Sequence, residues 1–478
     1  MTLLSSAVTG VKWSSASQVG RQVVQLITTI ILARTLAPSD FGLMSMAMVV
    51  VGFLNVFRDL GTSSAIVQRK DVSEKLLSSI FWVNVVFGCV VTLGIFVLSG
   101  PIANFYNDMR LVPVLKALSA SFLISSIGIP YQALLERKLE FSKLAKVELT
   151  STLMGAMIGI FLAFRGGGVW SLVFQSLSAV IVSTILLILF FNDWRPKIIF
   201  DLAEIKTVAG FSLNLSGFNI TNYFVRNADY LLIGKFLGAQ ELGYYSLAYR
   251  IMLYPLQNVT AVVSRVMFPL YSRIREDNSR FRNAYLRIAA SIAIITFPMM
   301  VGMLGVSNHF VIAVFGEKWR VVGILLMIFS PIGLLQSIEA TTGSIYQAQG
   351  RTDWMFRWGI FTGILAVIAF IIGLKWGITG VATSYLVVTL LWTYPGFMIP
   401  FKLIDLKVVE LIRCTWRPFV CSLGMLGAVT LCSVLFADHV SPMQLFAILF
   451  LVGVSTYAIN SFVLNRSDIQ EMLSYLRQ

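Results

Sequence analysis

Apolar runs of about twenty residues, the length that crosses a hydrocarbon core of roughly 30 Å, follow one another along the whole chain with short polar tufts between them. They lie at 11–33, 41–63, 77–100, 111–131, 144–164, 169–191, 208–233, 243–268, 285–308, 321–345, 357–375, 378–400, 413–436 and 443–464. The pattern predicts fourteen transmembrane helices. The runs are too long and continuous for barrel strands, whose lipid and lumen faces alternate, so the expected fold is all-α. The first and seventh runs are the most polar.

Composition fits that pattern. With 57% hydrophobic and 13% charged residues in 478, the chain carries about half the charge of a soluble domain and reads as a polytopic membrane protein. A formal charge of +14 invites nucleic acid, but the basic residues sit in tufts between apolar spans rather than on one basic domain, and no nucleic-acid partner is expected. The tufts report topology instead. With a cytoplasmic N-terminus, the inner loops hold groups such as Arg137, Lys138, Lys143 and Lys146, or Arg273, Arg275, Arg280, Arg282 and Arg287. The outer loops hold scattered ones such as Arg34, Arg110, Lys235 and Lys375. The bias is about three to one, and an even number of spans returns the C-terminus to the cytoplasm. The opening "MTLLSSAVTGVKWSSASQVG" has neither a basic n-region nor a clean apolar h-region, and reads as the start of the first helix. Cys89, Cys414, Cys421 and Cys432 form no CxxC pair and the histidines are His309 and His439; no metal site is expected.

The stretch "ARTLAPSDFGLMSMA" at 33–47 returns as "GKFLGAQELGYYSLA" at 234–248. An offset of 201 residues pairs Leu36 with Leu237, Asp40 with Glu241, Gly42 with Gly243, Ser45 with Ser246 and Ala47 with Ala248. A second echo repeats "YQA" at Tyr131 and Tyr346. The chain reads as an internal duplication: an N-lobe at 1–206, a C-lobe at 207–402, and two extra helices with a cytoplasmic tail at 403–478. Six spans separate the copies, so both enter the membrane from the same side. Two lobes related by a pseudo-two-fold axis along the membrane normal are expected, an arrangement used by alternating-access transporters. The repeated stretch itself reads as a tight outer turn in which Gly and Pro let the chain reverse.

Polar residues inside the spans supply the candidate chemistry. Ser14, Gln18, Arg21, Gln25 and Thr28 fall on one face of the first helix; Ser212, Ser216, Asn219, Tyr223 and Arg226 do the same on the seventh, flanked by Asn222 and Asp229. A mid-span Arg costs about 2.5–3.5 kcal/mol to insert, so it must face protein, water or an anion. Two readings stay open. Carboxylates neutralise the arginines, as Asp229 can for Arg226 at i+3, although Arg21 has none within a turn. Alternatively Arg21 and Arg226 line a cationic cavity for an anionic substrate, with Arg250 on the eighth helix a further candidate and Gln18, Gln25, Asn219, Asn222 and Tyr223 available for hydroxyl groups. Asp59, Asp229 and Glu339 lie at membrane depth and are candidates for coupling transport to H⁺ or Na⁺.

The "LARTLAPSDFGLMSMA" turn, its answer "LGAQELGYYSLAYR", the inner loop "YQALLERKLEF" and the opening "GVWSLVFQSL" of the sixth span resemble the polysaccharide-transporter branch of the multidrug/oligosaccharidyl-lipid/polysaccharide flippase superfamily. The likeness runs through the first twelve spans, and within the branch it is greatest to exporters of the colanic-acid and teichuronic-acid type. The resemblance implies a V-shaped, two-lobed bundle in the bacterial inner membrane that flips an undecaprenyl-diphosphate-linked oligosaccharide for exopolysaccharide synthesis. It implies an arginine-lined cavity for the headgroup, carried over to Arg21 and Arg226, then Arg58 and Arg250, a tail groove at the last two helices, and a polysaccharide polymerase and chain-length regulator as partners; it implies no cofactor beyond a coupling ion.

Other classes fit less well. A drug or cation antiporter of the superfamily wants a cavity rich in carboxylates rather than arginines, whereas a lipid II flippase shares the electrostatics and only the resemblance disfavours it. A membrane polymerase or glycosyltransferase needs an acid or base and a sizeable outer loop, and every outer loop here is short. An ATP-driven pump is excluded by the absence of a GxxxxGK[ST] loop.

Overall fold

The structure is a computed structural model that describes residues 3–57, 63, 66, 67, 72–191, 193–201, 223–436 and 439–465. Among these residues it is helical with no strand. The helices are α1 (Leu3–Thr35), α2 (Pro38–Asn55), α3 (Glu74–Tyr106), α4 (Leu111–Arg137), α5 (Phe141–Phe164), α6 (Val169–Phe190), α7 (Ala228–Phe236), α8 (Ala239–Ile274), α9 (Asn278–Phe315), α10 (Arg320–Glu339), α11 (Thr342–Ala348), α12 (Thr352–Gly373), α13 (Gly377–Phe401), α14 (Val408–Phe436) and α15 (Pro442–Leu464). Each of the fourteen expected spans overlaps one of them; 58–62 of the second and 208–222 of the seventh lie outside the described residues. Ten helical segments among the described residues are long and apolar enough to cross a membrane, one of which, Thr352–Ile404, contains both α12 and α13. The polar α1 and α8 fall outside that set, yet at 33 and 36 residues each reaches roughly 50 Å.

The chain divides into two compact units, Met1–Gly243 and Tyr244–Gln478. In the first, α1 lies along α5, α3 along α4, α5 along α6, and α4 and α2 both touch α6. Lipid tails are as apolar as leucine, so close packing and hydrogen bonds must hold such helices together. Gly155 and Gly159 provide it between α5 and α6: a Cβ on Gly155 would lie 2.7 Å from the Gln175 carbonyl oxygen, and one on Gly159 2.8 Å from Gln175 Cβ. Leu76, Ile80, Leu135, Leu144 and Trp194 form a core near the end of the unit where α3 and α5 begin. There the stretch after α6 is strapped down. Trp82 Nε1 donates to the Lys197 carbonyl (2.9 Å), Lys197 N to Ser78 Oγ (3.2 Å) and Asp201 N to Ser79 Oγ (2.9 Å), while Lys197 pairs with Glu74 and Lys138 with Asp193.

In the second unit α9 is central, flanked by α10, α14 and α15, and α12 pairs with α13. Gly377 (φ 70°) turns the chain between those two helices, and they close so tightly that a Cβ on Gly380 would lie 2.3 Å from the Gly373 carbonyl oxygen. Tyr271, Phe281, Tyr285, Phe401 and Ile404 form one core, and Val301, Met425, Val429 and Leu449 a second. The last two helices are therefore integral to this unit: Tyr457 donates to the Ile294 carbonyl at 2.7 Å, and His309 Nε2 shares a 2.9 Å hydrogen bond with Ser433. Outward faces are apolar and open, as at Val97 (74% exposed) and Val434 (79%), as lipid-facing surfaces are.

Candidate binding site

The repeated turn is built differently from its sequence appearance. Pro38 occupies the first turn of α2, and the Ala37 N–H donates to Asp40 Oδ2 at 3.0 Å, so the Pro and Asp start a helix there. Gly238, at φ 88°, reverses the chain before α8. Gly42 and Gly243, which looked like turn residues, are both inside helices. A Cβ on Gly42 would lie 1.6 Å from the Ala239 carbonyl oxygen, and one on Gly243 1.9 Å from the Pro38 carbonyl oxygen. The offset of 201 pairs Pro38 with Ala239 as it pairs Gly42 with Gly243. The contact is thus reciprocal, the mark of a two-fold relation between the ends of α2 and α8.

Along the polar face of α1, Ser14 is exposed, Gln18 and Arg21 are half-buried, Gln25 is exposed and Thr28 is buried. Thr28 donates to the Val24 carbonyl of its own helix at 2.7 Å, so the accessible part of the face stops there. Arg21 meets a carboxylate from another helix: Nη2 lies 3.3 Å from Glu148 Oε2 on α5, with side-chain exposures of 35% and 40%. Ser17 Oγ donates to the same Glu148 oxygen at 3.1 Å. Among the described residues, Arg21 Nε is buried without a partner. The sequence reading sought a partner for Arg21 within a turn and missed Glu148, although an acid inside the expected span 144–164 was the available signal.

On the seventh span, Asn219 and Asn222 lie outside the described residues, as do Arg58 and Asp59. Tyr223 is a strut to α2: its hydroxyl donates to the Val49 carbonyl at 2.7 Å, and a Cβ on Gly52 would lie 2.5 Å from the Tyr223 hydroxyl oxygen. Its ring packs against Phe53 at 5.9 Å. The helix breaks at Asn227, whose side-chain amide donates to the Tyr223 carbonyl at 2.8 Å. Arg226 is exposed, whereas Asp229 is 4% exposed and accepts from the Tyr230 N–H at 2.8 Å. Among the described residues no ion pair joins those two. Arg250 is exposed on α8. Glu339, half-buried at the end of α10, fits beside Gly396, where a Cβ would lie 3.1 Å from Glu339 Oε1 and 3.6 Å from the Trp358 ring. Among the described residues its carboxylate has no cationic partner.

The structure therefore brings Ser17, Arg21 and Glu148 together, with Gln18 one turn away on α1. Chemically this is a guanidinium paired through one nitrogen with one carboxylate, which a serine hydroxyl also contacts. Such a group suits a diffuse oxyanion.

The family described as "Polysaccharide biosynthesis protein" matches residues 31–323. The chain is 30% identical over 433 residues to the lipopolysaccharide biosynthesis protein WzxC of Escherichia coli K12, covering 89% of this chain and 87% of that one. It is 29% identical over 450 residues to the teichuronic acid biosynthesis protein TuaB of Bacillus subtilis 168, covering 92% and 91%. Among solved structures, the lipid II flippase MurJ in an inward closed conformation superposes with a TM-score of 0.75 at 17% identity, covering 95% of this chain and 99% of that one. At that identity the likeness speaks for the fold.

Proposed function

The chain belongs to the polysaccharide biosynthesis protein family, within the polysaccharide-transporter branch of the multidrug/oligosaccharidyl-lipid/polysaccharide superfamily, and from that premise we propose that its cargo is an oligosaccharide repeat unit linked to undecaprenyl diphosphate. It is a multi-pass membrane transporter of polysaccharide synthesis and not an enzyme. The proposed step carries the headgroup from the cytoplasmic to the outer leaflet of a bacterial inner membrane, with both termini in the cytoplasm, upstream of a polymerase and chain-length regulator.

The observation that carries the reading is Arg21, a half-exposed guanidinium inside an apolar helix bundle, with a buried Nε that has no partner. A lipid-linked repeat unit divides its needs. The isoprenoid stays in lipid at no cost, whereas the diphosphate and sugars must leave water, and that transfer is what a transporter must offset. In the proposed mechanism Arg21 takes the diphosphate, with Arg226, Arg58 and Arg250 as further cations. Gln18, Gln25, Asn219, Asn222 and the acceptor side of Tyr223 take sugar hydroxyls. Alternating access then moves the headgroup, and H⁺ or Na⁺ binding at Asp59, Asp229 or Glu339 drives the cycle. Glu339 suits this because a half-buried carboxylate without a cationic partner is stabilised by a bound cation.

The test is outer-face accumulation of the lipid-linked repeat unit in cells, at matched membrane levels of wild type, Arg21→Ala and Arg226→Ala. The proposal predicts loss of polymer and of outer-face intermediate, with the intermediate collecting on the inner face. Normal polymer from the double variant would return both arginines to structural roles.

A further inference from the structure

We infer that Glu148 is a placeholder counter-ion: it occupies Arg21 while the site is empty and is displaced by the anionic headgroup, which makes it a positioning residue for loading and release. The inference rests on the headgroup reading above.

Two ion pairs in this chain show the contrast that carries it. Arg110 grips Asp108 with both arms of its fork, Nε to Oδ1 at 3.0 Å and Nη2 to Oδ2 at 2.7 Å. That is the bidentate geometry of a permanent pair. Arg21 offers Glu148 one nitrogen at 3.3 Å, longer than the roughly 2.7–2.9 Å of a charge-assisted hydrogen bond, and its Nε stays buried without a partner. Both side chains remain more than a third exposed. A pair meant only to hold α1 on α5 would use both arms of the fork, as Arg110 does, because a buried donor left unsatisfied is destabilising.

The loose geometry has a use. An unaccompanied guanidinium in an empty apolar bundle is unfavourable, so a counter-ion is needed whenever cargo is absent. A fork-shaped partner would compete too well with a diphosphate for the same donors. Glu148 satisfies both conditions: Ser17 Oγ, at 3.1 Å from Oε2, parks the carboxylate near Arg21, while the guanidinium is held through a single nitrogen and stays about a third exposed, at 35%. Glu148 lies seven residues into α5, roughly 10 Å from that helix end, a depth reachable from the side on which cargo is expected to load. After release the carboxylate returns, which prevents the headgroup from rebinding.

The test uses the full chain purified in nanodiscs, with geranylgeranyl diphosphate as the soluble probe and titration calorimetry as readout. Removing a competing counter-ion should tighten binding, so Glu148→Gln is expected to bind the probe about three- to five-fold more tightly than wild type, the range of a loosely held pair, and to move cargo more slowly. A merely structural Glu148 predicts the opposite, since Arg21 would lose its support. Equal or weaker binding by a folded Glu148→Gln overturns the inference while leaving the headgroup reading intact. Should that variant fail to fold, Ser17→Ala carries the same test by freeing the carboxylate: tighter binding supports displacement, and unchanged or weaker binding overturns it. If wild type and Arg21→Gln are both blind to the probe, the headgroup reading itself falls, and this inference with it.

Discussion

At Gly42 a single hydrogen decides whether two helix ends can meet. A Cβ there would lie 1.6 Å from the Ala239 carbonyl oxygen and 2.5 Å from its carbon, and backbone atoms cannot step aside as a flexible side chain can. Gly42→Ala or Gly243→Ala is therefore expected to destabilise the protein by at least about 2 kcal/mol, the range for overpacking a tight contact, seen as a lower Tm in detergent. Gly94→Ala on α3, with nothing within 4 Å, should be neutral or gain up to about 1 kcal/mol, which separates close approach from a generic effect of glycine. The sequence marked Gly42 and Gly243 correctly as special and gave the wrong reason, because a glycine in a turn and a glycine under another backbone look alike in one dimension. Glu148 escaped for a related cause: its contacts with α1 span 131 residues of chain at Ser17, and no local spacing rule reaches that far.

Helices were the most legible scale, since a lipid environment demands runs of about twenty apolar residues and backbone hydrogen bonds satisfied within each run. Their ends were less legible. The extended α3 runs to Tyr106, beyond the span expected to stop at 100, because Asn107 in the left-handed region (φ 56°) and the Asp108–Arg110 fork close it there. Hydrogen bonds from Arg110 hold the Asp108 carboxyl below the ordinary carboxylate range. A group whose folded pKa is lowered stabilises the fold above its unfolded value, about 3.9, and loses that contribution as pH falls through the folded value. Asp108→Asn should therefore lower Tm at pH 6 and converge with wild type as the medium is acidified through the lowered folded value. Arg110 is well exposed, which limits the effect to at most about 1 kcal/mol. The α12–α13 pair behaves as one element for the same packing reason as the turn, and Gly380→Leu should separate the two helices and expose the pair to proteolysis in membranes.

For the whole molecule, the distribution of Lys and Arg predicts the direction of insertion. Alkaline phosphatase fused after Asn107 is expected to be active and the same enzyme fused after Asp193 inactive, since Lys138, Lys143 and Lys197 gather at the latter end; the reverse pattern would invert the orientation. The reciprocal contact at Gly42 and Gly243 has a further consequence, for the history of the chain. Each copy of the turn is the mould in which the other is cast, so a change in one is judged by the backbone of its twin. Likeness between the two stretches is therefore kept where each lies against the backbone of the other, at Gly42 and Gly243.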